Sequence, residues 1–404
     1  MKNIKLPIFG FVVLILITAC ATQKKISYIK DKELLKTIDQ NFKDADAQYK
    51  VLMKNLPADK CPKTYFPKTG KYEFSSSEWW CSGFYPGSLL YIFEQTKDPI
   101  LQTETERMLK ILEKEKNNKD THDLGFMMFC SFGNAKDLLK ASKPMDYKAI
   151  LLQSAKSLSS RFNPSVGCIK SWDSKNPKDY LVIIDNMMNL ELLFWATKVS
   201  GDSSFYKIAV THANTTMKNH YRPDFSSYHV INYDKETGAV QQKKTAQGYA
   251  NESAWARGQA WGLYGYTVMF RETHDAKYLE QAKNIAQFIL NHPNLPADKI
   301  PYWDFNAPDI PNALRDASAA SIIASALLEL RGYVDIKTGK SYIETAEMML
   351  KSLSNPTYKA AIGTNGGFII QHGVGHNPQK TEVDVPLTYG DYYFLEAMKR
   401  YKNL

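Results

Sequence analysis

The sequence predicts an all-α fold, a closed (α/α)6 barrel of six helical hairpins, and three observations carry that expectation. An apolar helix, a turn rich in Thr, Ser, Asp, Gly or Lys, and a second helix carrying alanines recur along the chain. In each copy the first helix is more apolar and aromatic, the second more charged. Long segments rich in Gly, Pro, Trp and Asp precede the first helices. Concentric rings require that asymmetry, because an inner helix is covered on all sides and an outer one meets water. Long loops carried on such a rigid scaffold are where a site is built.

The copies occupy, in order, residues 93–112 (FEQTKDPILQTETERMLKIL), 135–158, 194–217, 270–290 and 330–353. A sixth pair joins the amphipathic segment 33–56 to the C-terminal YGDYYFLEAMKRY and closes the array on itself. An open solenoid is the structural alternative.

Ahead of the hairpins stands MKNIKLPIFGFVVLILITAC, with Lys2 and Lys5, an apolar run from Leu6 to Ile17, and small residues before Cys20. This has the pattern of a secretory signal over residues 1–20, and it is short for a membrane span. Its end resembles a bacterial lipobox, which makes Cys20 the expected lipidation site. The expected organisation is a signal at 1–20, a polar tether at 21–32 and one catalytic domain over 33–404. The expected location is periplasmic, on the membrane through the lipid at Cys20, with surface exposure as the alternative.

The net charge of +9 is spread among 42 acidic residues without a polybasic block. That balance suits an anionic small ligand and argues against nucleic acid as a partner. Four cysteines remain after Cys20, at 61, 81, 130 and 168, too few in this length for a disulfide framework. The single pairing suggested is Cys61 with Cys81, and Cys130, within GFMMFCSF, is expected to be a buried free thiol.

No cofactor is expected. There is no HExxH, and His372 and His376 flank a GVG that does not suit a helix, so no metal site is expected. TGKS at 338–341 lacks the first glycine of a P-loop, and no G-x-S-x-G is present. Acids remain. Asp123 in THDLGFMMFCSFGNA and Asp185 in YLVIIDNMMNLELLFWA sit where helices begin, so each could be an N-cap. Their apolar neighbours favour a second reading, since burial raises a carboxyl's pKa and lets it keep a proton near neutral pH, as a general acid must. Trp79, Trp80, Trp172, Trp255, Trp261 and Trp303 are candidate platforms for the apolar face of a sugar, with core packing as the alternative for any one of them.

The segments HDLGFM, IIDNMMNLELLFWA, QGYANESAWARGQAWGLYGY, PYWDFNAP, RDASAA and EVDVPLTYGDYYFLEA, spread from about Glu78 to Glu396, resemble glycoside hydrolase family 88, the unsaturated glucuronyl hydrolases. The resemblance implies an (α/α)6 barrel that needs no metal and hydrolyses unsaturated uronyl oligosaccharides, the products of polysaccharide lyases acting on glycosaminoglycans. It implies that Asp185 protonates C4 of the C4=C5 vinyl ether and assists water at C5, with Asp123 as the second essential carboxylate. His229, Gln247, Arg257 and Trp261 would bind the uronate, Arg257 as a fork for its carboxylate and Trp261 as a stacking ring. Gly258 and Gly262 would allow close helix packing. Trp80 and Trp172 match further sugar platforms, and Gln371, His372 and Lys380 lie where some relatives meet a sulfate. Oligomeric state is not legible. The alternatives are an unsaturated rhamnogalacturonyl hydrolase, a sugar epimerase working through paired histidines, and a non-catalytic glycan-binding lipoprotein.

Overall fold

The structure, a computed structural model, describes residues 28–139 and 145–404. The signal, Cys20 and most of the tether lie outside the described residues. The folded unit starts earlier than residue 33. Tyr28 packs against the core, Lys30 donates to the Lys402 carbonyl at 2.7 Å, and the Asp31 N–H donates to the Tyr401 hydroxyl at 2.8 Å.

Helix α1 (Lys32–Asn55) is followed by a hairpin of β1 (Cys61–Phe66) and β2 (Lys71–Ser75), and then by the first chain-consecutive helical pair, α2 (Phe84–Thr96) and α3 (Pro99–Leu112). The next pair opens on a π-helical stretch, Gly125–Gly133, which runs into α4 (Asn134–Leu138) and is answered by α5 (Tyr147–Ser159). Strands β3 (Phe162–Asn163), β4 (Cys168–Ile169) and β5 (Asp179–Ile183) lead into a 3-10 turn, Ile184–Asn189, and the pair α6 (Leu190–Ser200) and α7 (Ser203–His220). Strands β6 (Val230–Asp234) and β7 (Val240–Lys244) precede α8 (Ala256–Thr273) and α9 (Ala276–Asn291). The pair α10 (Ala317–Leu330) and α11 (Ile336–Leu353) is followed by β8 (Gly373–His376), β9 (Thr381–Val385) and the last helix, α12 (Thr388–Lys402).

The first helices of the pairs form the inner ring. Helix α2 packs on the π segment, the π segment on α6, α6 on α8, α8 on α10, α10 on α12, and α12 returns to α2, so the ring closes. Every residue of α8 from Ala256 to Met269 is buried, and in α10 only Glu329 is not. The outer helices bury one stripe, as in α11 with Tyr342, Ile343, Ala346, Met349, Leu350 and Leu353. All six outer helices begin the same way: Asp31, Asp98, Asp146, Asp202, Asp275 and Asp335 each turn a carboxylate back onto backbone N–H groups of the first turn. A carboxylate there satisfies orphan donors and meets the positive end of the helix. The polar turn of the sequence repeat therefore ends in a built start signal for the outer helix.

The strands make four small antiparallel sheets, β1–β2, β3–β4, β5–β6–β7 and β8–β9. All lie in segments that lead into inner helices, so they gather at one end of the barrel. The apolar run before Asp185 is strand β5 and not the start of a helix. The four remaining cysteines are free, so the Cys61–Cys81 pairing is not formed; Cys61, Cys81 and Cys168 are buried, and Cys130 is only partly so. TGKS falls in the first turns of α11. Among the described residues, no helix is long and apolar enough to cross a membrane.

Candidate active site

A cavity of about 790 Å³ opens at the loop end, a size that suits a small ligand. Five of the six segments that enter inner helices contribute walls: Lys63 and Glu73 from β1–β2 with Trp79 and Trp80 beyond it, His122 and Asp123, Trp172 with Asp185, Gln247 with Arg257, and the β8–β9 hairpin with Tyr389.

Asp185 owes its place to strand pairing. Strands β5 and β6 run antiparallel with Ile183 opposite Val230, and the Ile184 N–H donates to the His229 carbonyl at 3.0 Å. The residues just past that pair, Asp185 and His229, therefore meet, with His229 Nε2 at 3.6 Å from Asp185 Oδ2. Asp123 reaches the same cavity from the start of the π segment. Its side chain accepts from the Thr121 hydroxyl at 2.9 Å and lies 3.3 Å from His122 Nε2. Neither carboxylate is a helix cap in the manner of the six outer aspartates.

The two acidic segments touch at Gly125. A Cβ there would stand 2.4 Å from the Asn189 Cα, and the Phe126 N–H donates to Asn189 Oδ1 at 3.0 Å. A π turn, wider than an α turn and frequent at functional sites, follows directly. We expect Gly125→Ala to lower stability by about 1–3 kcal/mol through overpacking. By parting the two carboxylates it should also lower kcat more than the stability loss alone would. A denaturant midpoint and a rate measured well below it check both.

Burial pushes the Asp185 carboxyl up to about 7, the neighbouring Asp123 charge adds to the rise, and Arg257 opposes it. Asp185 is thus half protonated near neutral pH, where an ordinary aspartate is a bare anion. His229 is held well below its usual value, first by burial and then by Arg257, so it is neutral. Its tautomer follows from its partners: Nδ1 accepts the N–H groups of Ala246 at 3.1 Å and Gln247 at 3.2 Å, so the proton sits on Nε2, toward Asp185.

Arg257 is almost wholly buried. Nη1 donates to Asp316 at 3.2 Å and to the Val374 carbonyl at 2.5 Å, and Nη2 donates to the Gly375 carbonyl at 2.7 Å. Asp316 is itself held at the start of α10, accepting from the Ser318 N–H and hydroxyl. Arg257 thus makes an internal salt bridge and still lines the cavity. Gln247 donates to the same Gly375 carbonyl at 2.9 Å. The arginine and the amide are therefore both fixed on strand β8, and both line the cavity that Asp185 also lines.

Of the residues expected to bind sugar, Gln247, Arg257, Trp80, Trp172 and Lys380 line the cavity. Trp79 does too and is 42% exposed, with Trp172 at 37%. Trp261 is different. Its exposure is 0%, and its ring is packed against Phe126 and Tyr393 at 5.0 and 5.4 Å. A ring with no open face cannot stack on a sugar, so that expectation is corrected. Trp255 and Trp303 are likewise buried. Gly262 receives the Tyr221 hydroxyl, which a Cβ would meet at 2.2 Å, and Gly258 receives the Trp255 ring at 2.7 Å, as close packing requires.

His372 is also corrected. It lies outside the cavity wall and pairs through Nδ1 with Asp384 at 2.6 Å, which holds the imidazole above its usual pKa. Gln371 turns away to the Pro356 carbonyl. The histidine in the wall is His376. Lys63 is a further wall residue that no motif in the sequence marks, and Glu382 and Tyr389 are two more, both inside EVDVPLTYGDYYFLEA but not singled out within it. Tyr389 lies within TYGDYY, one residue into α12, where the aromatic run signals an inner helix and not a site. Among the described residues no cluster of three or more His, Cys, Asp or Glu could hold a metal ion.

Residues 52–403 match the sequence pattern of Glycosyl Hydrolase Family 88. The chain is 50% identical over 326 residues to an unsaturated glucuronyl hydrolase of Formosa agariphila, 80% of each chain being covered. It is 32% identical over 339 residues to an unsaturated glucuronyl hydrolase of a Bacillus species, covering 82% of this chain and 88% of that one. Its fold superposes on the crystal structure of an unsaturated glucuronyl hydrolase specific for heparin with a TM-score of 0.87 at 46% identity, covering 91% of this chain and 97% of that one. A closed ring of six helical pairs, two carboxylates at its loop end and agreement over nearly the whole folded length lead to one placement: the chain belongs to glycoside hydrolase family 88.

Proposed function

We propose that the chain hydrolyses unsaturated uronyl oligosaccharides released from glycosaminoglycans by polysaccharide lyases, with Asp185 as general acid and then general base. The observation that carries the mechanism is a buried carboxyl in the cavity wall raised to about 7 and set beside Arg257. Arg257 and Gln247 receive the uronate carboxylate, which places the C4=C5 bond against Asp185. The acid gives its proton to C4, and positive charge spreads over C5 and the ring oxygen, where the Asp123 carboxylate favours it. Asp185, now ionised, takes a proton from water as the water oxygen bonds to C5. The resulting hemiketal opens to a C5 ketone, and the hemiacetal left at C1 releases the remaining saccharide as an alcohol. The reaction begins as hydration of an alkene, so carboxylate spacing does not dictate an anomeric outcome here.

The direct test is the ultraviolet absorbance of the conjugated C4=C5 bond in unsaturated disaccharides from heparin, chondroitin and hyaluronan, with and without sulfate. The chain lacking residues 1–20 is expected to remove that absorbance. The heparin products are expected to be its best substrates, in line with the relative of that specificity. Loss only on a pectin-derived product would favour the rhamnogalacturonyl reading, and binding without any loss would favour a glycan-binding role.

The proposed setting is the periplasm, with the enzyme tethered through a lipid on Cys20. Support comes from Lys2, Lys5, the apolar run and the small residues before the cysteine. Cys20→Ala is expected to move the protein from the detergent-soluble membrane fraction into the wash.

A further inference from the structure

Asp185 lines the cavity on one side and on the other is backed by two N–H groups that no protein acceptor satisfies. The first is His229 Nε2–H, whose tautomer is set by the two backbone donors on Nδ1, and which faces Asp185 Oδ2 at 3.6 Å. The second is Trp261 Nε1–H, one turn past Arg257 on α8 with its ring against Phe126 at 5.0 Å, and it favours the ionised form of the carboxyl. Both nitrogens and Asp185 Oδ2 are buried without a hydrogen-bond partner. Buried polar atoms in native proteins are seldom left so, and three in one place signal a state the resting site does not show.

We propose that His229 and Trp261 are positioning residues acting through Asp185: their ring N–H groups form a two-donor cradle that receives the carboxylate once the proton has gone to C4. This rests on the function proposed above. The Asp185 O–H bond breaks, the proton bonds to C4, and the electron pair left on oxygen accepts both N–H groups. When water adds at C5 its proton restores the O–H bond and the cradle loosens. A 3.6 Å approach is too long for a hydrogen bond at rest, and catalytic hydrogen bonds commonly tighten only as charge develops. Neither ring is placed to hold sugar. Trp261 has no open face, and the His229 ring is covered by Trp255 at 4.5 Å.

The cradle favours the ionised carboxyl, so removing a donor raises the Asp185 pKa and lets it hold its proton to higher pH. Trp261→Phe keeps a ring and loses the N–H. On an unsaturated disaccharide its kcat is expected to fall about tenfold or more, the lower end for a hydrogen bond to a charge. KM should stay within about threefold and the alkaline fall of kcat/KM should move upward. A KM raised tenfold or more with kcat and pH profile unchanged would make Trp261 a sugar contact and overturn the proposal.

The groups facing Asp185 are His122 and Asp123 ahead of the π segment, Arg257 on α8 and His376 on the β8–β9 hairpin, with Lys63 and Glu382 across the cavity. Burial lowers His122 and His376 and raises Glu382, so Asp185→Asn is the control that isolates one carboxyl. The second measurement does not depend on Trp261→Phe folding. In the 15N-tryptophan-labelled chain, one buried indole N–H resonance is expected to titrate near pH 7 in the wild type and to be flat in Asp185→Asn. No indole signal lost from titration in that variant would overturn the cradle. The resonance needs no substrate, so an enzyme inactive on every disaccharide with a titrating indole would sink the proposed function and leave the cradle standing.

Discussion

Asp185→Asn is expected to lower kcat on an unsaturated uronyl disaccharide by about 10²–10⁴-fold, the range for a positioned general acid and base. Substrate binding should survive, because Arg257 and Gln247 keep their partners. The same substitution should stabilise the fold at alkaline pH. The carboxyl pKa is raised to about 7 by burial, so the wild type is at its best below the unfolded value near 4 and loses stability as pH rises through 7. An amide carries no charge to bury, so the Asn variant should gain roughly 1–4 kcal/mol over wild type at pH 8 and almost nothing at pH 4. Denaturant curves at the two pH values check this. A variant that is inactive and less stable at both would show damage to the fold and not loss of an acid.

Arg257 carries the second large effect. Its side chain, almost wholly buried, holds Asp316 and two carbonyls of β8. Arg257→Leu should therefore cost about 3–5 kcal/mol, because it leaves a buried carboxylate uncompensated. Arg257→Lys keeps the charge but not the planar fork. It should fold, and KM for a uronyl disaccharide should rise by roughly 10–100-fold with a smaller fall in kcat, as expected when a charge-assisted bond is lost from ground and transition state alike. Should the Lys variant keep wild-type KM, the uronate carboxylate is held elsewhere, with Lys63 and Lys380 the other cations in the wall.

The ring of hairpins was legible because two local signals agreed in every copy. Apolar residues fill the first helix, and an aspartate in the turn starts the second, from Asp98 to Asp335. The closure by α1 and α12 followed from counting pairs. Asp123 and Asp185 could be picked out by their apolar neighbours, yet the reason they meet was hidden. It lies in a five-residue strand, β5, whose pairing with β6 delivers His229 as well. In sequence that strand and the 3-10 turn after it merge into one apolar run.

Aromatic residues were the least legible part of the site. Helical spacing puts Arg257 and Trp261 on one face of α8, but that face is buried throughout, so it says nothing about which ring meets solvent. Exposure instead follows the loops, where Trp79 and Trp172 are open. Choosing His372 over His376 failed for a related reason. The hairpin has a register shift between Gly373 and Val374, and His372, Lys380, Glu382 and Asp384 all adopt left-handed backbone, which only the folded hairpin enforces. Lys63 enters the wall from a hairpin 60 residues before Asp123, and no local pattern links the two.

The central claim is that Asp185 adds a proton to C4 before the glycosidic bond breaks. A proton NMR time course in D2O, run with an unsaturated disaccharide and the wild-type enzyme beside Asp185→Asn, tests it most directly. The account predicts that the vinylic H4 signal disappears as deuterium enters C4, with no free unsaturated uronate at any time, and that Asp185→Asn leaves the spectrum unchanged. Release of a free uronate that still carries its C4=C5 bond would contradict the account, because the glycosidic bond would then have been cut first.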